Sequence, residues 1–122
     1  MLKDKSSSAI VAVSDMARSK KFYLETLGLP LADDSMGDSV LSFRAGDTEL
    51  VVYKSDFAGT NKAYAVVWGN EIETIVQALK SKSVRFEHYE GMERDGDIHT
   101  AGDFKAVWFK DPDGNILHLN NM

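Results

Sequence analysis

Ala9-Ile10-Val11-Ala12-Val13, followed by Ser14-Asp15-Met16-Ala17-Arg18-Ser19-Lys20-Lys21-Phe22-Tyr23 and then by Leu27-Gly28-Leu29-Pro30, is the stretch on which the fold turns. Five small or β-branched apolar residues read as a strand, and Ser14-Asp15 brings side-chain oxygens that cap the free N–H groups of a helix starting near Met16. Phe22, Tyr23 and Leu27 add apolar bulk to the later turns. Gly28, free to take positive φ, suits the position just past the helix, and Pro30 bars continuation.

Working outward, Val40-Leu41-Ser42-Phe43-Arg44 and Glu49-Leu50-Val51-Val52-Tyr53 flank Ala45-Gly46-Asp47-Thr48 and read as a hairpin, with a weaker extended segment from Pro30 to Asp33 before it. The first half is therefore β-α-β-β-β. The second half repeats the order. Ala63 to Trp68 reads as a strand, Asn70 is an N-cap with Glu73 three residues later, and Ile72, Ile75, Val76 and Leu79 share one helical face. Val84-Arg85-Phe86, Ala106 to Lys110 and Ile116 to Leu119 supply strands, the last two joined by the turn Asp111-Pro112-Asp113-Gly114-Asn115. Matching Asp15-Met16 to Glu71-Ile72, Phe43-Arg44 to Phe109-Lys110 and Gly46 to Gly114 gives an internal duplication. The expected architecture is α+β: two βαβββ modules, about residues 6–55 and 62–121, within one domain spanning 1–122. Extra residues in the second half fall in 90–103, which reads as a long polar loop.

Composition narrows the class of function. A formal charge of −5 and a pI near 5.1 are wrong for a surface that tracks phosphates, so nucleic acid is not an expected partner. No apolar run is long enough for a membrane helix, the first residues lack a signal peptide's apolar stretch, and the chain contains no cysteine. These features predict a cytoplasmic protein without disulfides, thiolate ligands or cysteine nucleophiles. Phosphate-cradling glycine loops, the Gly-x-Ser-x-Gly elbow and the His-Glu-x-x-His pair are all missing from the sequence.

Val13 to Tyr23, closed by Leu27-Gly28-Leu29, resembles the opening signature of glyoxalase-like proteins. Trp108-Phe109-Lys110-Asp111-Pro112-Asp113-Gly114-Asn115-Ile116-Leu117 is similar to the hairpin that ends the second module in that superfamily of glyoxalases, bleomycin-resistance proteins and extradiol dioxygenases, also called vicinal oxygen chelate proteins. The resemblance spans nearly the whole chain. It implies sheets curved into a partly open barrel around a cavity, commonly with a homodimer partner, in a family of metal-dependent isomerases, dioxygenases, thiol transferases and metal-free antibiotic-sequestering proteins. Fold alone does not select among these, so function rests on the site.

The resemblance also places three metal-ligand positions, and here they fall on Ser8, at or near Tyr64, and on His118. A serine hydroxyl and a tyrosine are poor donors for a divalent transition metal, so His118 is the one remaining candidate. A metal site would need Glu49, His88 or His99 to converge on it. The repeat matching sets Leu50, not Glu49, opposite His118, and neighbouring strand residues face opposite ways, so Glu49 reads as a solvated strand residue.

Alternation in the last strand sets Ile116, His118 and Asn120 on one face, which the resemblance makes the cavity side. The same reasoning assigns Ser8, Ile10 and Ala12 to the cavity face of the first strand and Tyr64, Val66 and Trp68 to that of its counterpart. The resulting lining, mostly apolar with a few polar groups, suits a small-molecule pocket. His118 there is a hydrogen-bond donor, general base or ligand anchor, beside the plainer reading of a histidine satisfied by backbone. Tyr64 and Trp68 could stack on a planar ligand or serve as core. His99 reads as an exposed loop histidine; His88 follows Phe86 on one strand face with no partner evident. Asp111 and Asp113 are expected to hydrogen-bond within their turn.

The function expected is binding of a small, partly apolar or aromatic molecule by a homodimer, without metal or other cofactor and without nucleic acid or membrane. The alternatives are a metal-dependent lyase, isomerase or dioxygenase using His118, a metal-free isomerase using His118 or Tyr64, and a non-catalytic partner domain.

Overall fold

The computed structural model describes residues 1–60, 64–67 and 71–121, the second of these as backbone. Trp68 and Asn70 lie outside the described residues. The chain forms two compact units, Met1–Thr60 and Asn61–Met122.

In the first unit, β1 (Ala9–Val13) leads into α1 (Met16–Lys21), whose N-terminus is closed by Asp15: its carboxylate accepts the Arg18 amide N–H at 3.0 Å. The helix then widens into a π-helical turn over Phe22–Thr26 and ends at Gly28, which takes φ +71° as a residue without Cβ does easily. β2 (Leu31–Asp33), β3 (Val40–Ala45) and β4 (Thr48–Lys54) complete a four-stranded sheet of order β1-β4-β3-β2, with β1 parallel to β4. Val11, Val13, Leu41, Phe43, Leu50 and Val52 are buried. Tyr23 packs its ring 5.8 Å from that of Phe43, so the helical segment covers the face carrying these residues.

The second unit repeats the plan. β5 (Tyr64–Val67), α2 (Ile72–Ser81), β6 (Phe86–Glu87), β9 (Phe104–Lys110) and β10 (Ile116–Asn120) correspond in turn to the elements of the first unit, β10 lying between β5 and β9 and β6 pairing with β9. Leu117, Leu119, Val107 and Phe109 are buried on one face. Lys105, on that same face by alternation, pairs with Glu73 of α2, which puts the helix there with Ile72, Val76 and Leu79 buried. The helix is preceded by Glu71 with no side-chain cap bond.

Segment 90–103 is not a loop. It folds as β7 (Glu93–Asp95) and β8 (Ile98–Ala101), an antiparallel hairpin whose inner strand extends the sheet along β9 beside β6. The cause is local. Gly96-Asp97 and Gly102-Asp103 are two-residue connections with glycine at φ +61° and +60°, matching Gly46-Asp47 at +58° in the first unit. Glycine at the first turn position is what a tight hairpin of this type requires.

Pairing also corrects the repeat matching. Phe43 pairs Leu50 and Phe109 pairs Leu117, so with Phe43 matched to Phe109, Leu117 is the counterpart of Leu50, and Val51 is the counterpart of His118. The turn after Lys110 is one residue longer than the turn after Arg44, where the glycine alignment requires it to be two residues longer. Among the described residues no helix is long and apolar enough to cross a membrane.

Candidate functional site

The face of the second sheet opposite α2 carries a continuous set of rings. Cross-strand pairing puts Trp108 beside His118, and their rings stack at 4.6 Å with a 29° angle between planes. His99, delivered by β8, meets the edge of Trp108 at 5.1 Å, and Tyr89 lies 5.3 Å from Trp108 and 5.9 Å from His99. Trp108 and His118 are half-buried, whereas His99 is fully buried, contrary to the expectation of an exposed loop residue. The hairpin fold of 93–101 is the reason, because it turns His99 onto the face shared with Ala106 and Trp108.

Hydrogen bonds fix the protonation of His99. The amide N–H of Tyr89 donates to its Nε2 at 3.0 Å, so that nitrogen holds the lone pair and the proton sits on Nδ1, which is buried without a hydrogen-bond partner. Burial pushes the His99 pKa down, and electrostatic contributions from His88 and Arg94 act the same way, with the Tyr89 backbone offsetting part of the effect. His118 is also lowered, chiefly by burial, with the Val107 backbone offsetting part of the effect. Its Nε2 lies 3.0 Å from Nδ2 of Asn120, an arrangement in which the amide donates and the imidazole accepts. Both rings are thus neutral acceptors at neutral pH.

This has a consequence for stability. A histidine whose folded pKa lies below its unfolded value of about 6.5 leaves the unfolded chain holding more protons as pH falls, so stability drops with falling pH in the window beneath that value and is unaffected above it. The urea midpoint is expected to decline from pH 7 toward pH 5, and less steeply in His99→Gln. A variant with the same slope as the parent would remove His99 as the cause.

His88 does have a partner. Its Nε2 lies 2.7 Å from Oδ1 of Asp97, whose Oδ2 is 3.0 Å from Lys80 Nζ. These two contacts hold the Asp97 pKa below its ordinary value, the His88 hydrogen bond contributing more than that of Lys80.

The remaining expected residues divide by unit. Tyr64 stands in register with Leu117, while Ala65 stands in register with His118, so Tyr64 and His118 are one residue out of step and do not share a face. In the first unit Ile10 is 55% exposed on the face opposite Phe43, with Val51 as its cross-strand neighbour, while Ala12 is buried. Ser8 falls just ahead of β1 and borders a depression of about 540 Å³ with Ser6, Arg44, Thr48 and Glu49. Glu49 lies on the Ile10 and Val51 face, not the opposite one, because Val51 rather than Leu50 matches His118. It is solvated as expected, and accepts a 2.7 Å hydrogen bond from Ser42 Oγ. Asp111 accepts the amide N–H groups of Asp113 and Asn115 at 3.0 and 2.8 Å, the turn role its sequence indicates.

Among the described residues no three His, Asp or Glu side chains come together as a metal-binding group. The donors nearest the expected ligand positions, Ser8 and His118, do not make a transition-metal set.

The sequence profile of the glyoxalase/bleomycin resistance protein/dioxygenase superfamily matches residues 6–119. No curated protein matches the sequence. Among solved structures, lactoylglutathione lyase from Agrobacterium tumefaciens superposes with a TM-score of 0.76 at 14% identity, covering 96% of this chain and 92% of that one. An antibiotic-binding protein, TnmS3, from Streptomyces sp. CB03234 gives 0.72 at 22% identity, covering 98% and 97%. An oxidase gives 0.77 at 21% identity, covering 98% and 94%. At these identities the likeness shows the fold.

Proposed function

Because the chain belongs to the glyoxalase/bleomycin resistance protein/dioxygenase superfamily, whose fold serves a lyase, an antibiotic binder and an oxidase alike, we propose from its site that it is a metal-independent small-molecule-binding domain. The ligand is a planar, partly apolar molecule lying against Trp108 and His118. We further read the protein as a cytoplasmic homodimer.

The observation that carries this reading is the Trp108–His118 stack on the half-buried face of the second sheet. An indole already stacked on one ring extends naturally to a third flat group, and a neutral imidazole adds flat surface without a charge to desolvate. The antibiotic-binding relative supports the class of function, and the donor set favours independence from metal.

Titration with coumarin as an uncharged planar probe, followed by calorimetry, tests it. Trp108→Ala is expected to weaken binding by about 1–2 kcal/mol, or about 5- to 30-fold, while a chelator leaves the affinity unchanged. Equal affinity in Trp108→Ala, or binding that appears only after Zn²⁺, Ni²⁺, Mn²⁺ or Fe²⁺ is added, would sink the proposal.

A second reading draws on the neutral, half-buried imidazole of His118, whose Nε2 lone pair, once released by Asn120 Nδ2, is suited to accept a proton from a bound carbon acid. Deuterium exchange into a bound carbonyl compound, lost in His118→Phe, would favour this proton-transfer role over simple sequestration.

A further inference from the structure

We propose that Asp97, in the turn of the inserted hairpin, is a positioning residue: by gripping Lys80 of α2 and His88 together, it seats His99 against Tyr89 and Trp108. The hairpin needs such a fastening. Its outer strand β7 is Glu93-Arg94-Asp95, exposed throughout, and only three residue pairs tie β8 to β9. A short polar edge hairpin of this kind opens readily unless something holds it.

Asp97 supplies two of the holding contacts. Its side chain is 19% exposed, against 49% for Lys80 and 44% for His88, so the carboxylate sits in the more sheltered position and the hydrogen bonds to it are charge-assisted. Arg94 Nη1 steadies the turn itself by donating to the Gly96 carbonyl at 2.6 Å. The titratable groups that face the carboxylate are therefore Lys80 from α2 and His88 from the segment after β6.

The link from clasp to site is covalent on both sides. His88 precedes Tyr89, whose amide N–H holds His99 Nε2, and Asp97 lies two residues before His99. The His88–Asp97 bond and the Tyr89–His99 bond thus close a small ring of chain in which neither can shift far without the other. Both histidine rings sit 6.4 Å apart within it. If the clasp opens, His99 loses its acceptor geometry and Trp108 loses the ring at its edge.

The effect on binding rests on the reading of the Trp108 face as the ligand site, whereas the seating of His99 is tested without ligand. In the full chain, imidazole ¹⁵N correlations are recorded from pH 8 to pH 5 for the parent, Asp97→Asn and Lys105→Met. The last variant breaks the ion pair with Glu73 on the opposite face and controls for general loosening.

The parent is expected to show His99 as a single neutral form protonated on Nδ1. Asp97→Asn is expected to populate both tautomers, to titrate at higher pH than the parent, and to bind coumarin at least about threefold more weakly; Asp97→Glu restores part of each change. Lys105→Met leaves the His99 signals as in the parent. Identical His99 behaviour in the parent and Asp97→Asn overturns the proposal, as does the same change appearing in Lys105→Met. Should Asp97→Asn not fold, Lys80→Met removes one arm of the clasp and is judged by the same His99 signals. Absence of coumarin binding in the parent counts against the ligand site alone, and the His99 result still decides the clasp.

Discussion

Replacing Phe109 by alanine is expected to lower the unfolding free energy by about 3–5 kcal/mol, the usual range for removing a buried phenylalanine. Phe109 is 1% exposed and pairs across the sheet with Leu117 on one side and Phe86 on the other, its ring 5.8 Å from that of Phe86 in an edge-on arrangement. Backbone on both flanks is tied into the sheet, so the space left by the ring closes only in part. A domain of this size is stable by only about 5–15 kcal/mol, which makes such a loss a large share of the total. Phe109 also adjoins Trp108 in β9 and points the other way, so a strand that repacks beneath Phe109 disturbs the Trp108–His118 stack above it. The check is a urea titration in which the midpoint falls while the slope is kept, with Phe109→Leu losing less than about 1.5 kcal/mol. A loss below about 1 kcal/mol in Phe109→Ala would mean that the sheet and α2 do not form the tight layer described here.

The order of elements was legible because each signal was local. Val11 and Val13, the Asp15 cap, Gly28, and the period of Ile72, Val76 and Leu79 each follow from a few adjacent residues, and each is realised. Register was less legible because it depends on counting through turns. Taking Gly46 and Gly114 as equivalent made the repeat one residue out of step at the last strand, and in a strand one residue exchanges the faces. That single step misplaced Glu49, and a face assignment made by the same kind of count misplaced Tyr64 relative to His118.

Much of the candidate site was hidden for a different reason. Glu93-Arg94-Asp95 has no apolar alternation, so hydrophobic pattern alone returned a loop, and His99 was left in solvent. The usable signal was turn chemistry. Gly-Asp occurs at 37–38, in the longer connection between β2 and β3, and again at 46–47, 96–97 and 102–103, where the pair at 46–47 was already recognisable as a hairpin. Reading the last two in the same way yields β7, β8 and the start of β9, and brings His99 onto the sheet. Trp108 was likewise recoverable: with Asp111 to Asn115 as the turn, Lys110 faces Ile116 and Trp108 must face His118. The Asp97 clasp is different in kind, since nothing in the spacing of Lys80, His88 and Asp97 indicates that three separate elements meet at one carboxylate.

Asp111→Ala is expected to cost about 2–4 kcal/mol, because it strips a buried turn of a charged acceptor that serves several donors at once. The carboxylate is 5% exposed. Oδ1 accepts the amide N–H groups of Asp113 and Asn115, and Oδ2 accepts Nδ2 of Asn115 at 2.8 Å. Asn115 is itself fully buried, so water does not readily replace the lost acceptor. A backbone bond from Asp111 N–H to the Asn115 carbonyl at 2.9 Å closes the same turn, and its geometry depends on those side-chain contacts. Asp111→Asn keeps one oxygen but turns an NH₂ group toward other donors, so an intermediate loss is expected. The turn sets the pairing of Lys110 with Ile116 and hence that of Trp108 with His118, so the stability loss should be accompanied by weaker coumarin binding in protein that remains folded. Measured by urea unfolding, a cost below about 0.5 kcal/mol for Asp111→Ala would show that the donors find other partners and that the register of β9 and β10 is held by their side chains rather than by this turn.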